Sequence, residues 1–117
     1  MAYSYPDIID QINEYAQLEI DLNSDHIKWP PTPYIVENAI NILQLLPKQP
    51  HVVECTSDGF ISFGYEWLDS FADFLIDDDD MFSVYIVVGD YKRYLEDWPI
   101  QKGIPFNVVT YIGRTFK

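Results

Sequence analysis

The stretch Val52-Val53-Glu54-Cys55-Thr56-Ser57-Asp58-Gly59-Phe60-Ile61-Ser62-Phe63-Gly64-Tyr65-Glu66-Trp67 reads as a β-hairpin. Asp-Gly between two β-prone runs marks a tight turn, because Gly59 reaches positive φ without a Cβ clash. On the second arm Ile61, Phe63, Tyr65 and Trp67 alternate with Ser62, Gly64 and Glu66. A period of two gives one apolar face and one small or polar face. Four large apolar side chains on one face require a cover, and the helical segments preceding the hairpin are expected to supply it.

Upstream, Ser4-Tyr5-Pro6-Asp7 reads as a helix start, with Ser4 as N-cap, Pro6 in the first turn and Asp7 at the positive end of the dipole. Ile8, Ile12, Tyr15, Leu18 and Leu22 then recur every three or four residues, predicting an amphipathic helix to about Leu22. Asp7, Asp10, Glu14 and Asp21 share its other side as an acidic stripe with no interleaved lysine or arginine. Asn23 to Pro31 is a connector stiffened by Pro30 and Pro31. Thr32 caps a second helix with Pro33 at its first position, and Pro47 stops it. Val36, Ala39, Ile40, Leu43 and Leu46 form its stripe, widened by Ile35 and Ile42, so this helix is expected to lie deeper than the first.

Downstream, residues 68–76 fit either a short helix or a strand from Phe71 to Ile76. The strand is preferred: Asp77-Asp78-Asp79-Asp80 suits an exposed hairpin tip, and a meander keeps connections short. Phe82 to Val88 is β-branched and aromatic, apolar at nearly every position, and so expected to be central and covered on both faces. If Phe82, Val84 and Ile86 face one side, Tyr85 and Val87 face the other. Gly89-Asp90 turns the chain, Tyr91 to Leu95 pairs back, and Val108 to Ile112 is expected as a last short strand after a loop from Trp98 to Pro105.

Length and composition set the frame for these elements. With 117 residues, 48% hydrophobic and 16% aromatic, the chain can bury a core as one domain, residues 1–117. A single cysteine, Cys55, has no intrachain partner for a disulfide, which fits a buried thiol in a reducing compartment. No basic start followed by an apolar run, and no apolar stretch of the ~18 residues a membrane span needs, is visible, so a cytoplasmic protein without a membrane partner is expected.

The net charge of −12 is the number furthest from ordinary, and it is uneven. Residues 1–80 hold sixteen acids against Lys28 and Lys48, whereas residues 81–117 hold three acids against five bases. Such a field repels nucleic acid and anionic membranes and steers toward basic partners.

The usual chemical constellations are missing. Asp77 to Asp80 are consecutive, whereas a calcium loop alternates its carboxylates and adds a glycine and a distal glutamate. His26, His51 and Cys55 show no zinc spacing. His51 and Cys55, four apart in a strand, would stand roughly 13–14 Å apart, too far to share a proton. No nucleophile elbow, phosphate loop or dinucleotide fingerprint occurs, and Lys92-Arg93 between Tyr91 and Tyr94 is the only basic-aromatic cluster. Neither catalysis nor a cofactor nor a dedicated metal site is expected.

The span from the proline-started helix through Thr56-x-Asp58-Gly59-x-Ile61-x-Phe63-x-x-Glu66-Trp67 resembles small uncharacterised proteins of bacteria and their phages. In these a helix precedes a hairpin with an Asp-Gly turn and a second arm ending near Glu-Trp. The resemblance implies α+β architecture and transfers no activity or catalytic residue.

The expected fold is therefore α+β, two N-terminal helices packed on one face of a mostly antiparallel sheet of four or five strands. The expected function is binding: an acidic inhibitor that occupies a basic, nucleic-acid-binding surface of a protein such as a nuclease, CRISPR effector or toxin, as phage anti-CRISPR and anti-restriction proteins do. Carboxylates along a helix can imitate a phosphate backbone. Asp7, Asp10, Glu14 and Asp21, the tip Asp77, Asp78, Asp79 and Asp80, and the aromatic Tyr85 are the candidate contact residues. Two alternatives stand beside it: an antitoxin or immunity-type protein that uses an aromatic sheet face, and a small metal protein or enzyme with an unrecognised site.

Overall fold

The computed structural model describes residues 5–17, 29–77 and 80–117. Among these the order is α1 (Pro6–Tyr15), α2 (Pro33–Leu45), β1 (Val52–Cys55), β2 (Ile61–Trp67), β3 (Ser70–Ile76), β4 (Met81–Val88), β5 (Tyr91–Pro99), a 3-10 turn (Ile100–Lys102) and α3 (Phe106–Thr115). The fold is α+β. Its strands form one antiparallel sheet in sequence order, β1-β2-β3-β4-β5.

The hairpin at the centre of the sequence forms as read. Cys55 pairs with Ile61, and the loop closes through Thr56 N–H to the Phe60 carbonyl and Gly59 N–H to the Thr56 carbonyl. Gly59 sits at φ 82, and a Cβ there would stand 3.0 Å from the carbonyl oxygens of both Trp29 and Pro30. Glycine is thus required twice over, for backbone shape and for close approach. The connector reaches this turn through Trp29 N–H to the Ser57 carbonyl, at 3.1 Å.

Residues 70–76 are a strand, settling the ambiguity of that segment: Ser70–Ile76 pairs with both Ile61–Trp67 and Phe82–Val87. The turn between β2 and β3 needs only Leu68 and Asp69, since Trp67 lies opposite Ser70.

Strand alternation then decides the layers. Val53, Cys55, Ile61, Phe63, Tyr65, Ala72, Phe74, Ile76, Phe82, Val84 and Ile86 are buried, and all belong to one face. The same core takes Ile8 and Ile12 of α1, Ile35, Ala39, Ile42 and Leu43 of α2, and Val108, Ile112 and Phe116 in and after α3. All three helices therefore pack on one side of the sheet. Each fully buried Phe, Ile or Leu contributes roughly 1.5–3 kcal/mol, so the interior is made almost wholly by this one layer contact.

Several sequence expectations are corrected. The span Val108 to Ile112, expected as a strand, is helical: Val108, Ile112 and Phe116 recur every four residues, and only a helix turns all three into the core. The cover is consequently shared with a C-terminal helix. The first helix ends at Tyr15 rather than near Leu22, tightening through Gln17 N–H to the Glu14 carbonyl; Leu18, Asp21 and Leu22 lie outside the described residues. Its N-cap is Tyr5, with no side-chain cap, and Ser4 also lies outside them. Thr32 caps α2 as expected, its Oγ1 accepting from Ile35 N–H at 3.3 Å. The buried stripe of α2 is turned toward Ile35, Asn38, Ala39, Ile42 and Leu43, leaving Val36 and Ile40 half-buried.

The strand Phe82 to Val88 is not covered on both faces. Phe82, Val84 and Ile86 are fully buried, but Tyr85 is 42% exposed and Ser83 and Val87 are partly so. Their face carries no helix among the described residues. Trp67, expected to follow Ile61, Phe63 and Tyr65 inward, is 39% exposed because it lies at the strand end beyond the helix layer. The pairing of β5 continues to Pro99, with an irregularity between Phe82 and Val84, so the expected loop begins later than Trp98.

Both outer strands are finished locally. The Val53 carbonyl of β1 accepts from Gln11 Nε2 at 3.3 Å and from the Tyr15 hydroxyl at 3.0 Å, which ties α1 across that edge. On β5, Asp97 takes φ 51 beside the irregularity, and its N–H donates to Ser83 Oγ at 3.2 Å. The end of α3 is fastened through Lys48 Nζ to the Phe116 carbonyl, at 2.6 Å, and a His51 Nε2 contact with the Lys117 carbonyl, at 2.9 Å.

Candidate functional site

The face that carries no helix among the described residues is built from the residues that alternate with the core. Register aligns them in rows across the strands. One row is Val52, Gly64, Asp73, Tyr85 and Tyr94. A second is Glu54, Ser62, Leu75 and Ser83, and a third is Glu66, Phe71, Val87 and Lys92.

Aromatic side chains form a ridge toward β5. Phe71 and Tyr85 meet edge to face with centroids 5.3 Å apart, and Tyr85 meets Tyr94 in the same way at 6.0 Å. Tyr94 is 60% exposed. Such geometry suits the ring quadrupoles and holds the side chains upright with few free rotors.

Toward β1 the same face becomes acidic and hollow. Gly64 has no side chain, and around it Val52, Glu54, Ser62, Glu66, Phe71 and Asp73 line a depression of about 390 Å³. A second, of about 320 Å³, lies between Ser62, Asp73, Leu75, Ser83, Tyr85 and Tyr94. Ser62 and Asp73 line both, so the two adjoin.

Asp73 is the electrostatic centre of the trough. Its carboxyl is held above the ordinary carboxylate value of 3.8, first because the sheet removes water from one side of it, then because Glu54 and Glu66 repel it. None of the three carboxylates pairs with a cation among the described residues. Strand neighbours of like charge weaken a sheet, so this arrangement is maintained at a cost in stability.

One end of the trough shows strain. Leu68, in the turn beyond the Trp67–Ser70 pair, takes φ 56 and is 86% exposed. Asn, Asp or Gly would hold that conformation with less steric conflict.

The residues nominated from sequence divide among separate regions. Asp7, Asp10 and Glu14 are exposed on α1, on the helix layer. Asp77 and Asp80 stand where β3 ends and β4 begins, at one end of the sheet. Tyr85 belongs to the opposite, helix-free face. Asp21, Asp78 and Asp79 lie outside the described residues. The helix stripe and Tyr85 are thus not brought together. Glu54, Glu66, Asp73, Phe71 and Tyr94 were not singled out, although the polar half of the hairpin alternation, Glu54-Ser62-Gly64-Glu66, was the signal that leads to them.

No group of three or more His, Cys, Asp or Glu side chains is arranged to hold a metal ion among the described residues. His51 lies in the turn before β1, with Nδ1 accepting from Glu66 N–H at 3.0 Å and Nε2 therefore donating to the Lys117 carbonyl. Cys55 is buried. No described helix is long and apolar enough to cross a membrane. Comparison with models of known families, with curated proteins and with solved structures gives no significant match for the chain.

Proposed function

We propose that the chain is a binding protein whose helix-free sheet face takes a basic surface of a protein partner, of the kind that otherwise holds nucleic acid. The observation that carries this reading is Asp73, repelled by Glu54 and Glu66 with no compensating cation among the described residues, and set beside the exposed rings of Tyr85 and Tyr94. A cation from a partner relieves the mutual repulsion, and the aromatic ridge adds both apolar area and faces on which a guanidinium can rest. The sheet face does this better than the α1 stripe, which offers carboxylates but no neighbouring aromatic ridge.

The net charge of −12 supplies the long-range part, drawing a basic partner in before contact. It also separates this partner from a second copy, whose identical acidic trough would be repelled.

Two charge-matched triple variants test the proposal with a fluorescent nona-arginine peptide as probe. Glu54→Gln/Glu66→Gln/Asp73→Asn clears the sheet face, and Asp7→Asn/Asp10→Asn/Glu14→Gln clears α1. Both remove the same net charge, so a difference reports position alone. The sheet variant is expected to weaken binding about tenfold more than the helix variant. Equal losses, or a larger loss from the helix variant, overturn the assignment.

A further inference from the structure

We infer that the trough on the helix-free face receives one basic amphipathic α-helix of the partner, laid across the strands; this rests on the reading of that face as a site for a basic protein. Backbone groups decide between a helix and an extended segment. A segment lying on the face of a sheet, rather than along its edge, finds no free N–H or C=O, because the sheet uses its own in the strand ladders. An extended segment would bury unpaired polar groups there, whereas a helix satisfies its own internally.

The dimensions agree. Five strands about 4.8 Å apart give a face roughly 19 Å wide, which about 13 helical residues cross at 1.5 Å each. Small residues, Ser62, Gly64 and Ser83, keep the face low around Asp73, beside the Phe71–Tyr85–Tyr94 ridge. An antiparallel sheet with helices on one side becomes a three-layer structure when a helix lies on the other.

Charge fixes the chemistry of that helix. Glu54, Glu66 and Asp73 line one part of the trough and repel each other at Asp73, so lysine or arginine is required on that side of the incoming helix. Val52, Phe71, Leu75, Val87 and the tyrosines call for an apolar stripe beside it. Leu68, exposed in the two-residue turn between β2 and β3, is the apolar side chain that an incoming helix meets where it overruns the Glu66 end of this face.

The test uses the full chain, isotope-labelled, and three synthetic probes: an 18-residue Leu/Lys amphipathic helix, its Leu/Glu counterpart, and nona-arginine. The Leu/Lys peptide is expected to become helical on binding and to shift the amides of Ser62, Gly64, Asp73, Ser83 and Tyr85, leaving those of α1 unmoved. The Leu/Glu peptide is expected not to bind. Gly64→Ala and Gly64→Val raise the floor stepwise at a site where a Cβ meets nothing nearer than 3.5 Å, unchanged core amide shifts showing that the fold is kept; a loss of about tenfold or more is expected for the valine variant. Leu68→Asn is expected to weaken the Leu/Lys peptide several-fold while leaving nona-arginine unchanged. If nona-arginine occupies this face and the Leu/Lys helix binds no better, or Gly64→Val leaves the helix bound, the helix inference falls and the basic-partner reading stands. If both cationic probes shift α1 instead, both fall.

Discussion

Asp73 shows how a single side chain couples stability to interaction. Its raised folded-state value means that, between 3.8 and that value, the native state holds a proton that the unfolded chain has already lost. Stability from this group is therefore full below 3.8 and declines as pH rises through the folded value. Asp73→Asn is expected to raise stability at neutral pH by a few tenths of a kcal/mol, the scale of a like-charge strand contact, and to flatten this part of the acid-range profile; urea titrations at pH 3.5 and 7 check it. Tyr65 carries the same sign at the other end of the scale. Burial, and secondarily Tyr5, pushes its hydroxyl far above the ordinary value of 10.0, while that hydroxyl donates to the Lys48 carbonyl at 2.5 Å. Alkaline unfolding is expected to begin as pH passes 10, where only the unfolded chain ionises at this position. Gly59 makes the most rigid demand: Gly59→Ala puts a Cβ against two carbonyl oxygens at a positive φ and is expected to cost about 1–3 kcal/mol by chemical denaturation.

At the scale of elements, the end of α3 seals the core. Phe116 is fully buried, with its ring 5.3 Å from Tyr65 and 6.3 Å from His51. Phe116→Ala is expected to cost about 3–5 kcal/mol, measured by thermal or urea unfolding, and to expose Tyr65 to solvent. The helix containing this anchor was the element least legible in the sequence. Val108, Val109, Thr110, Tyr111 and Ile112 all favour strands, and local preference concealed the four-residue recurrence that reaches Phe116. The hairpin was legible because Asp58-Gly59 marks a turn and the alternation from Ile61 marks the buried face, although the loop takes three residues, Ser57 to Gly59, and so sets the register one residue from that of a two-residue turn; α2 was legible because Thr32, Pro33 and Pro47 mark its limits. The candidate site was harder to read. Nothing local distinguishes Glu54, Glu66 and Asp73 from solvating charge; they converge only when β1, β2 and β3 are laid in register around a glycine. Tyr85 was identified because strand alternation forces it opposite Phe82, Val84 and Ile86. In α2, Asn38 is buried and its Nδ2 has no hydrogen-bond partner among the described residues. Asn38→Leu is expected to raise stability by about 1 kcal/mol, checked by the same denaturation midpoint.

For the whole molecule, the division of labour between the two sides of the sheet governs behaviour. One side is filled by three helices and supplies the cohesion; the other keeps aromatic rings and carboxylates in water. Association with a basic partner is accordingly expected to weaken as ionic strength rises, since the Debye length shrinks from about 10 Å at 0.1 M to about 3 Å at 1 M. A residual, salt-insensitive affinity should remain from the apolar ridge and vanish with Tyr85→Ala, as binding isotherms at several salt concentrations would show. The treatment of the two border strands has a consequence of another kind. With α1 fastened over the Val53 carbonyl and β5 bent at Asp97, neither margin offers a straight ladder to a further strand. Side-by-side addition of further copies is thereby disfavoured at the Val53 carbonyl and beside Asp97, the two places where the borders depart from a plain ladder.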